Sequence, residues 1–435
     1  MRRRLLPLGL AVLLFNPSFA QTVDAGRNGA YITRGFHAPR AAEPQAASLT
    51  LKTALELALG ANPELSAAER ELQAVEATII QAGVRPNPQI SASIQDTQRS
   101  TRTTTFQLKQ PIELGGKRTA RIEAAERGRD AASAELDAKR AEIRAAVMTA
   151  FFDALSAQER FRLVQSSVLL AQRATTAASR RVTAGKVSPV EETKARVAEA
   201  GVRVESFQVA SELSIARKRL AATWGSPSPR FERVEGALET LPTLPALGEL
   251  NTRLANAPSL LRAQLEVNRR QALAQVERTR RIPDMTIGLG INRNEEIGRN
   301  QAIFGISIPI PVFDRNQGNL LEALRRTDKA RDELIATEMR LSSELAQAHG
   351  RLNAARQEVD ALQNEILPGA QSAYDAATKG FELGKFSFLE VLDAQRTLLQ
   401  AKSQYLRTLT EGHRAAAEIE RVLGNSSSVT LAVTP

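Results

Sequence analysis

Few side chains in this 435-residue chain are of types and spacings that do chemistry, and those few point away from catalysis. There is no cysteine, hence no thiolate ligand, disulfide or cysteine-borne lipid anchor, and methionine occurs only four times. The three histidines, His37, His349 and His413, stand far apart and in no metal-ligand spacing. Gly116-Lys117 and Gly185-Lys186 lack both the earlier glycine and the following Ser or Thr of a phosphate-binding loop. Gly288-x-Gly290 lies within a strand pattern and reads as small residues on one strand face. No Ser/His/Asp grouping suggests nucleophilic hydrolysis. Two Ser-x-x-Glu sequences remain, Ser188 to Glu191 and Ser387 to Glu390. Both read as helix capping boxes, the first with Pro189 at the first helical position. Asp393 lies one turn beyond Glu390, where no capping role is open to it, and its counterpart in the first half is Lys194. No catalytic residue, metal site or cofactor is implied.

The elements that hold these residues read as long helices. Aromatics make up only 4% of the chain, which is rich in Ala, Leu, Glu, Arg and Gln, a mixture suited to helices packed through small residues. The net charge of +10 would suit nucleic acid, but the arginines alternate with acids along helical stretches. No basic run is interleaved with stacking aromatics, so these are solvated helix faces. Arg2-Arg3-Arg4, the apolar run from Leu5 to Phe15 and Ser18-Phe19-Ala20 together form a secretory signal, with cleavage expected after Ala20. Beyond it no apolar run is long enough for a membrane helix, so insertion into a bilayer would have to use strands.

The chain also repeats itself. Ala61-Asn62-Pro63 returns as Asn256-Ala257-Pro258, Gln110-Pro111-Ile112 as Ile308-Pro309-Ile310, Ala184-Gly185-Lys186 as Leu383-Gly384-Lys385, and Thr223-Trp224-Gly225 as Val422-Leu423-Gly424. The four matches keep their order at offsets of 195 to 199, which implies duplication of a whole domain. The expected organisation is a signal over 1–20, an extended segment over 21–47, a first repeat over 48–225, a linker over 226–246, a second repeat over 247–424 and a tail over 425–435. Each repeat reads as a helix (51–84; 247–281), two strands (89–96 and 103–112; 285–292 and 302–310), a very long helix (119–183; 320–383), a Gly-Lys turn and a last helix (189–223; 388–423). Ile143, Val147, Ala150, Ala154, Ala157, Phe161, Val164, Val168 and Ala171 alternate spacings of three and four, a coiled-coil seam.

The strands alternate. Met285, Ile287, Leu289 and Ile291 oppose Thr286, Gly288, Gly290 and Asn292, and Ile90, Ala92 and Ile94 oppose Ser91, Ser93 and Gln95. Such a pattern suits a half-buried soluble sheet and a membrane barrel alike. The secretory signal favours the barrel. Four strands cannot close one, since membrane barrels start at about eight strands. Two copies would give eight strands filled by their own side chains, and three copies twelve strands around a conduit.

This layout resembles the TolC-type outer-membrane factors from about Ser48 to Gly424. The stretch Gly384-Lys385-Phe386-Ser387-Phe388-Leu389-Glu390-Val391-Leu392-Asp393-Ala394-Gln395 is similar to that family's periplasmic tip. Gln110 to Arg118 with Arg121, and Ile308 to Arg315, resemble its cobalt-zinc-cadmium (Czc-type) efflux branch. The resemblance implies a mostly α, α+β fold: a trimeric 12-stranded barrel in the Gram-negative outer membrane, continuous with a periplasmic α-helical barrel. It implies a non-enzymatic channel of a tripartite proton-driven (RND-type) efflux system, exporting cations such as cobalt, zinc and cadmium. The partners would be two further copies, a periplasmic adaptor, an inner-membrane pump and outer-membrane lipid. The tips Gly185-Lys186-Val187-Ser188 and Gly384-Lys385-Phe386-Ser387 would dock the adaptor. Asp393 and Glu390 would ring the pore entrance, with Glu390 equally explained as a helix cap. Where family members latch the entrance with Tyr and Arg, this chain has Phe381 and Phe386. Drug or peptide export through the same fold, and a coiled-coil scaffold without a pore, are the competing readings.

Overall fold

In the computed structural model, residues 48–424 are described; the signal over 1–20, the segment over 21–47 and the tail over 425–435 lie outside them. The chain opens with β1 (Ser48–Thr50), α1 (Leu51–Ala61), α2 (Pro63–Ala82), β2 (Gln89–Gln95) and β3 (Thr103–Ile112). These lead into α3 (Lys117–Thr183), α4 (Pro189–Ala222) and β4 (Arg233–Glu235). The second series is α5 (Leu247–Leu254), α6 (Pro258–Thr279), β5 (Met285–Asn294), β6 (Arg299–Ser307), α7 (Gln317–Ala361), a π-helical turn (Leu362–Ile366), α8 (Leu367–Glu382) and α9 (Phe388–Leu423). With 67 residues, α3 runs about 100 Å at 1.5 Å per residue.

The helices depart from the sequence expectation wherever a proline falls. The helix expected over 51–84 is two, because Pro63 cannot continue α1 and instead starts α2. Asn62 caps the new start, accepting from Leu65 N at 3.0 Å and donating to Thr223 O at 2.7 Å. Pro258 divides 247–281 in the same way. The second long helix is interrupted where Pro368, without an N–H, leaves the Asn364 carbonyl unpaired in the α register, and the chain passes through a π-turn. The last strand ends at Ser307 rather than Ile310, since Pro309 and Pro311 both lack the donor that a ladder requires.

The main sheet is antiparallel in the order β2-β3-β5-β6. The helices joined to those strands pack in the same order: α2 on α3, α3 on α6, α6 on α7. Each strand thus continues into, or out of, the helix beneath it. The principal core lies at the waist, where Phe151, Phe152, Trp224, Phe231 and Leu238 are buried between α3, α4 and the linker. Leu250, Leu341, Leu345, Leu352 and Ile419 fill the corresponding space in the second half. The linker is also held by an unanticipated small sheet, in which β4 pairs parallel with β1. The buried Gln158 side chain accepts from Val234 N and donates to Val234 O, both at 3.1 Å, completing the free edge of β4 as a strand would.

Candidate functional site

Two regions hold the candidate residues: the hairpin tips and the strand sheet. At each tip the helix ends in a left-handed glycine, Gly185 (φ 67°) or Gly384 (φ 74°). Lys186 N donates to Arg181 O at 2.9 Å and Gly185 N to Val182 O at 2.9 Å, and Lys385 and Gly384 repeat this on Gly380 and Phe381 at 2.8 and 3.0 Å. These paired bonds make a Schellman ending, which explains the Gly-Lys repeat without any ligand. Gly185, Lys186, Ser188, Gly384, Lys385 and Ser387 are exposed and Val187 is half-buried.

Past each turn the two tips differ. Ser387 and Glu390 form the full capping box: the Ser387 hydroxyl accepts from Glu390 N at 3.4 Å, and Ser387 N donates to the Glu390 carboxylate at 2.6 Å. The box expected at Ser188 is not formed. Its hydroxyl accepts from Val190 N at 3.3 Å, and no reciprocal bond from Glu191 completes it. Asp393 is exposed one turn into α9, and no group among the described residues pairs with its carboxylate. Glu390 therefore has a structural task that Asp393 lacks. Lys194, at the matching place on α4, is likewise exposed.

Phe381 and Phe386 have separate environments. Phe386 is 44% exposed yet folds back on Gly380, where an added Cβ would come within 2.2 Å of its ring. Phe381 lies half-buried in a small cluster with Ala178, Ala195 and Leu392 that joins the two hairpins. The Arg181 guanidinium sits 4.4 Å from the Phe381 ring centroid and donates to Phe381 O at 3.3 Å. Sequence reasoning missed Arg181. The available signal was the offset of 199, which pairs Arg181 with Gly380 and marks the only tip position where a long cation faces a residue without a side chain. Between α3 and α4 runs a polar groove of about 690 Å³, lined by Thr175, Thr176, Ser179, Glu192 and Arg196. Arg196, and after it Ser179, hold the Glu192 carboxyl below the ordinary glutamate range.

At the other end of α3 the branch-like motif is a joint between strand and helix. Lys117 pairs with Asp284 at 2.7 Å, Leu114 N donates to the same carboxylate at 3.2 Å, and Arg121 pairs with Glu113. Arg118 donates to Gly83 O at 2.7 Å. Asn316, in the left-handed region, holds the second joint by donating to Glu277 O at 2.8 Å.

The sheet has two unlike faces. One presents Ile90 (83% exposed), Phe106 (58%), Leu289 (56%) and Phe304 (66%) to the surroundings. In the ladder Leu108 stands opposite Leu289, and Phe106 opposite Ile291. The other face is hydroxyl- and amide-rich. Gln107 lies across Gly288 and Gly290: a Cβ on Gly288 would come within 2.7 Å of its amide nitrogen, and one on Gly290 within 2.6 Å of the Phe106 carbonyl and 3.2 Å of Gln107 Cγ, so Gly288 makes room for the side chain and Gly290 chiefly for the neighbouring backbone. Both edge strands, β2 and β6, carry unpaired backbone groups along their outer sides in this chain. No helix among the described residues is long and apolar enough to cross a membrane.

Comparison with known proteins agrees with this geometry. The model of the family described as "Outer membrane efflux protein" matches residues 54–226 and 250–425. A cobalt-zinc-cadmium resistance protein, CzcC, of Cupriavidus metallidurans is 49% identical over 424 residues, 98% of this chain and 100% of its own. A nickel-cobalt-cadmium resistance protein, NccC, of Alcaligenes xylosoxydans xylosoxydans is 28% identical over 68% of this chain and 67% of its own. Among solved structures, CusC superposes with a TM-score of 0.75 at 19% identity, covering 87% of this chain and 94% of that one, which shows a shared fold. The chain belongs to the outer membrane efflux protein family and is a transport component of the Gram-negative outer membrane, not an enzyme.

Proposed function

We propose that three copies of this chain close a 12-stranded barrel in the outer membrane, continuous with a helical duct, and that the duct is the exit of a tripartite proton-driven efflux system for heavy-metal cations. The observation that carries the conduit is the sheet. A four-stranded sheet with an exposed apolar face and two unpaired edges is stable only when lipid covers the face and further strands cover the edges. Three copies satisfy both needs and leave the polar face around a lumen. The 49% identity to a cobalt-zinc-cadmium resistance protein over nearly the whole chain supports metal cations as cargo.

In this reading the signal is removed after Ala20, and the tips at 185–188 and 384–387 meet the periplasmic adaptor that links the duct to an inner-membrane RND pump. Asp393 lines the entrance, and in a trimer three such carboxylates favour cations. Glu390 adds three more charges while capping α9. With no metal-ligating cluster among the described residues, the choice of metal falls to the pump and adaptor.

The test is growth of a strain lacking only this gene on cobalt, zinc, cadmium and a panel of hydrophobic drugs. Selective metal sensitivity is expected. Drug sensitivity with normal metal tolerance would keep the channel and replace its cargo. At the entrance, Asp393→Asn should lower cation selectivity in planar bilayers, and an unchanged reversal potential would remove Asp393 from the constriction.

A further inference from the structure

The polar face of the sheet carries a charge pattern that the reading above does not use. The ladder puts Lys109 opposite Gly288, and Gly288 opposite Gly305; it puts Arg299 opposite Asn294, and Asn294 opposite Thr103. Lys109 and Arg299 therefore share the face on which Gln107 lies across the two glycines. They are the only ionisable side chains the four strands place there, and the strands contribute no Asp or Glu to it. Along β3 the two levels stand at Thr103 and Lys109, about 20 Å apart at 3.4 Å per residue.

Three cations beside the sheet or on its other face are neutralised: Lys117 by Asp284, Arg121 by Glu113, Arg293 by Glu295. Neither Lys109 nor Arg299 has a carboxylate partner among the described residues. Two cations on one strand face without acids differ from the helices, where acids and bases are mixed along every face. They also oppose the sign of Asp393 and Glu390 at the far end of the chain's longest helices.

We propose that Lys109 and Arg299 form two cationic collars inside the closed barrel, which lower the passive permeability of its membrane segment to cations. The proposal rests on the trimeric-barrel reading given above. A fixed potential cannot by itself choose a direction of flow. It lowers the concentration of cations within the segment, and so the leak of expelled metal back through an idle channel. Cargo driven outward by a pump still crosses against it. With three charges about 10 Å from the axis and one Debye length of screening at 0.1 M salt, each collar disfavours a monovalent cation about twofold and a divalent one about fourfold.

The full-length protein, purified in detergent and reconstituted in planar bilayers under a KCl gradient, gives the test through its reversal potential. Lys109→Gln should raise the potassium-to-chloride permeability ratio about fourfold at 0.1 M salt, about twofold from potassium admitted and about twofold from chloride lost; Lys109→Glu should raise it further, and the difference should vanish near 1 M as screening shortens. Arg299→Gln should act in the same direction and add to Lys109→Gln. Lys109→Gln nearly preserves side-chain length on a solvated face, so it reads the effect even where the charge reversal impairs assembly. Wild-type conductance with an unchanged ratio in both neutral variants would overturn the collars and leave the channel standing. Absence of conductance from the wild-type protein would remove the barrel, and the collars with it.

Discussion

The waist and the hairpin tips are built from the same two helix pairs, yet they are held together by different physics. At the waist, Phe151 and Phe152 meet edge-to-face at 5.6 Å, and His413 stacks on Phe152 at 3.6 Å. The linker seals this layer: His413 Nε2 donates to Leu238 O at 2.8 Å, and Gly412 is close enough to Leu241 that an added Cβ would come within 2.6 Å of it. At the tips the buried side chains are smaller, Ala178, Ala195, Ala377 and Val391, with Phe381 and Leu392 half-buried beside them. Most of what remains there is helix capping and surface ion pairs, the latter each contributing about 0–1 kcal/mol. Stability is thus concentrated at the middle of the long helices, and the tips can rearrange without cost to the whole. A partner that binds the tips meets the part of the chain easiest to move.

The largest test of that contrast is Phe152→Ala. Emptying a fully packed aromatic site costs about 3–5 kcal/mol, and Phe152 is only 4% exposed between α3, the linker and His413. Thermal unfolding of the purified protein should show a large loss. A loss no greater than that of a tip substitution would mean that the waist is not the keystone of the fold.

His413 gives the same comparison a pH dependence. Burial pushes its pKa down, only partly offset by the bond to Leu238, and its Nδ1 is buried without a partner. Its folded pKa therefore lies below the unfolded value of about 6.5, so the unfolded chain binds more protons across the interval between them. The neutral ring's contribution is complete above about pH 6.5 and is lost as the pH falls below it. Glu420, whose carboxyl burial pushes up, acts in the opposite sense. The measurement is therefore a difference: wild type should lose more melting temperature between pH 7 and 5 than His413→Phe. Parallel curves would mean that the imidazole is not titrating as the waist unfolds.

At the tips the effects shrink to single caps. Ser387→Ala should cost about 1 kcal/mol of local stability, because its hydroxyl makes two bonds, accepting from Glu390 N at 3.4 Å and donating to the Glu390 carboxylate at 2.9 Å. Ser188→Ala should cost less, since a single 3.3 Å bond is at stake. Amide exchange in the first turns of α9 and α4 separates the two; equal acceleration would mean that the hydroxyl bond to the Glu390 carboxylate adds nothing.

The sequence made the long helices, the strand alternation and the turn glycines legible because each rests on local physics: a period, a missing Cβ, a cap. The seam from Ile143 to Ala171 is buried or half-buried throughout. Proline-induced breaks at Pro63, Pro258 and Pro368 were locally encoded too, and were passed over because the apolar periodicity runs on through them. The features that stayed hidden depend on contacts across 76 to 200 residues, such as Gln158 completing the edge of β4 and Arg181 over Phe381. No spacing rule connects such pairs. Of the candidate site residues, Glu390 was legible in its capping role and Asp393 in having none. What charge either presents to a lumen depends on neighbouring copies of the chain.

The smallest expected effect decides whether the two tips act as one. Arg181 reaches from the first hairpin to the second, and a partly exposed cation–π contact contributes about 0.5–1 kcal/mol. Arg181→Ala would barely move a melting curve set by the waist, so the readout has to be local. In a double-mutant cycle with Phe381→Leu, the coupling should be about 0.5–1 kcal/mol in the exchange protection of residues around both turns. Arg181→Lys should recover only part of it, because a compact ammonium lacks the planar face that stacks on a ring. Additive single effects would mean that the cation adds nothing across the hairpins, leaving only the packing of Phe381 and Leu392 against Ala178 and Ala195 to hold the tips together. Clear coupling would identify Arg181 as the residue that ties the second hairpin to the first.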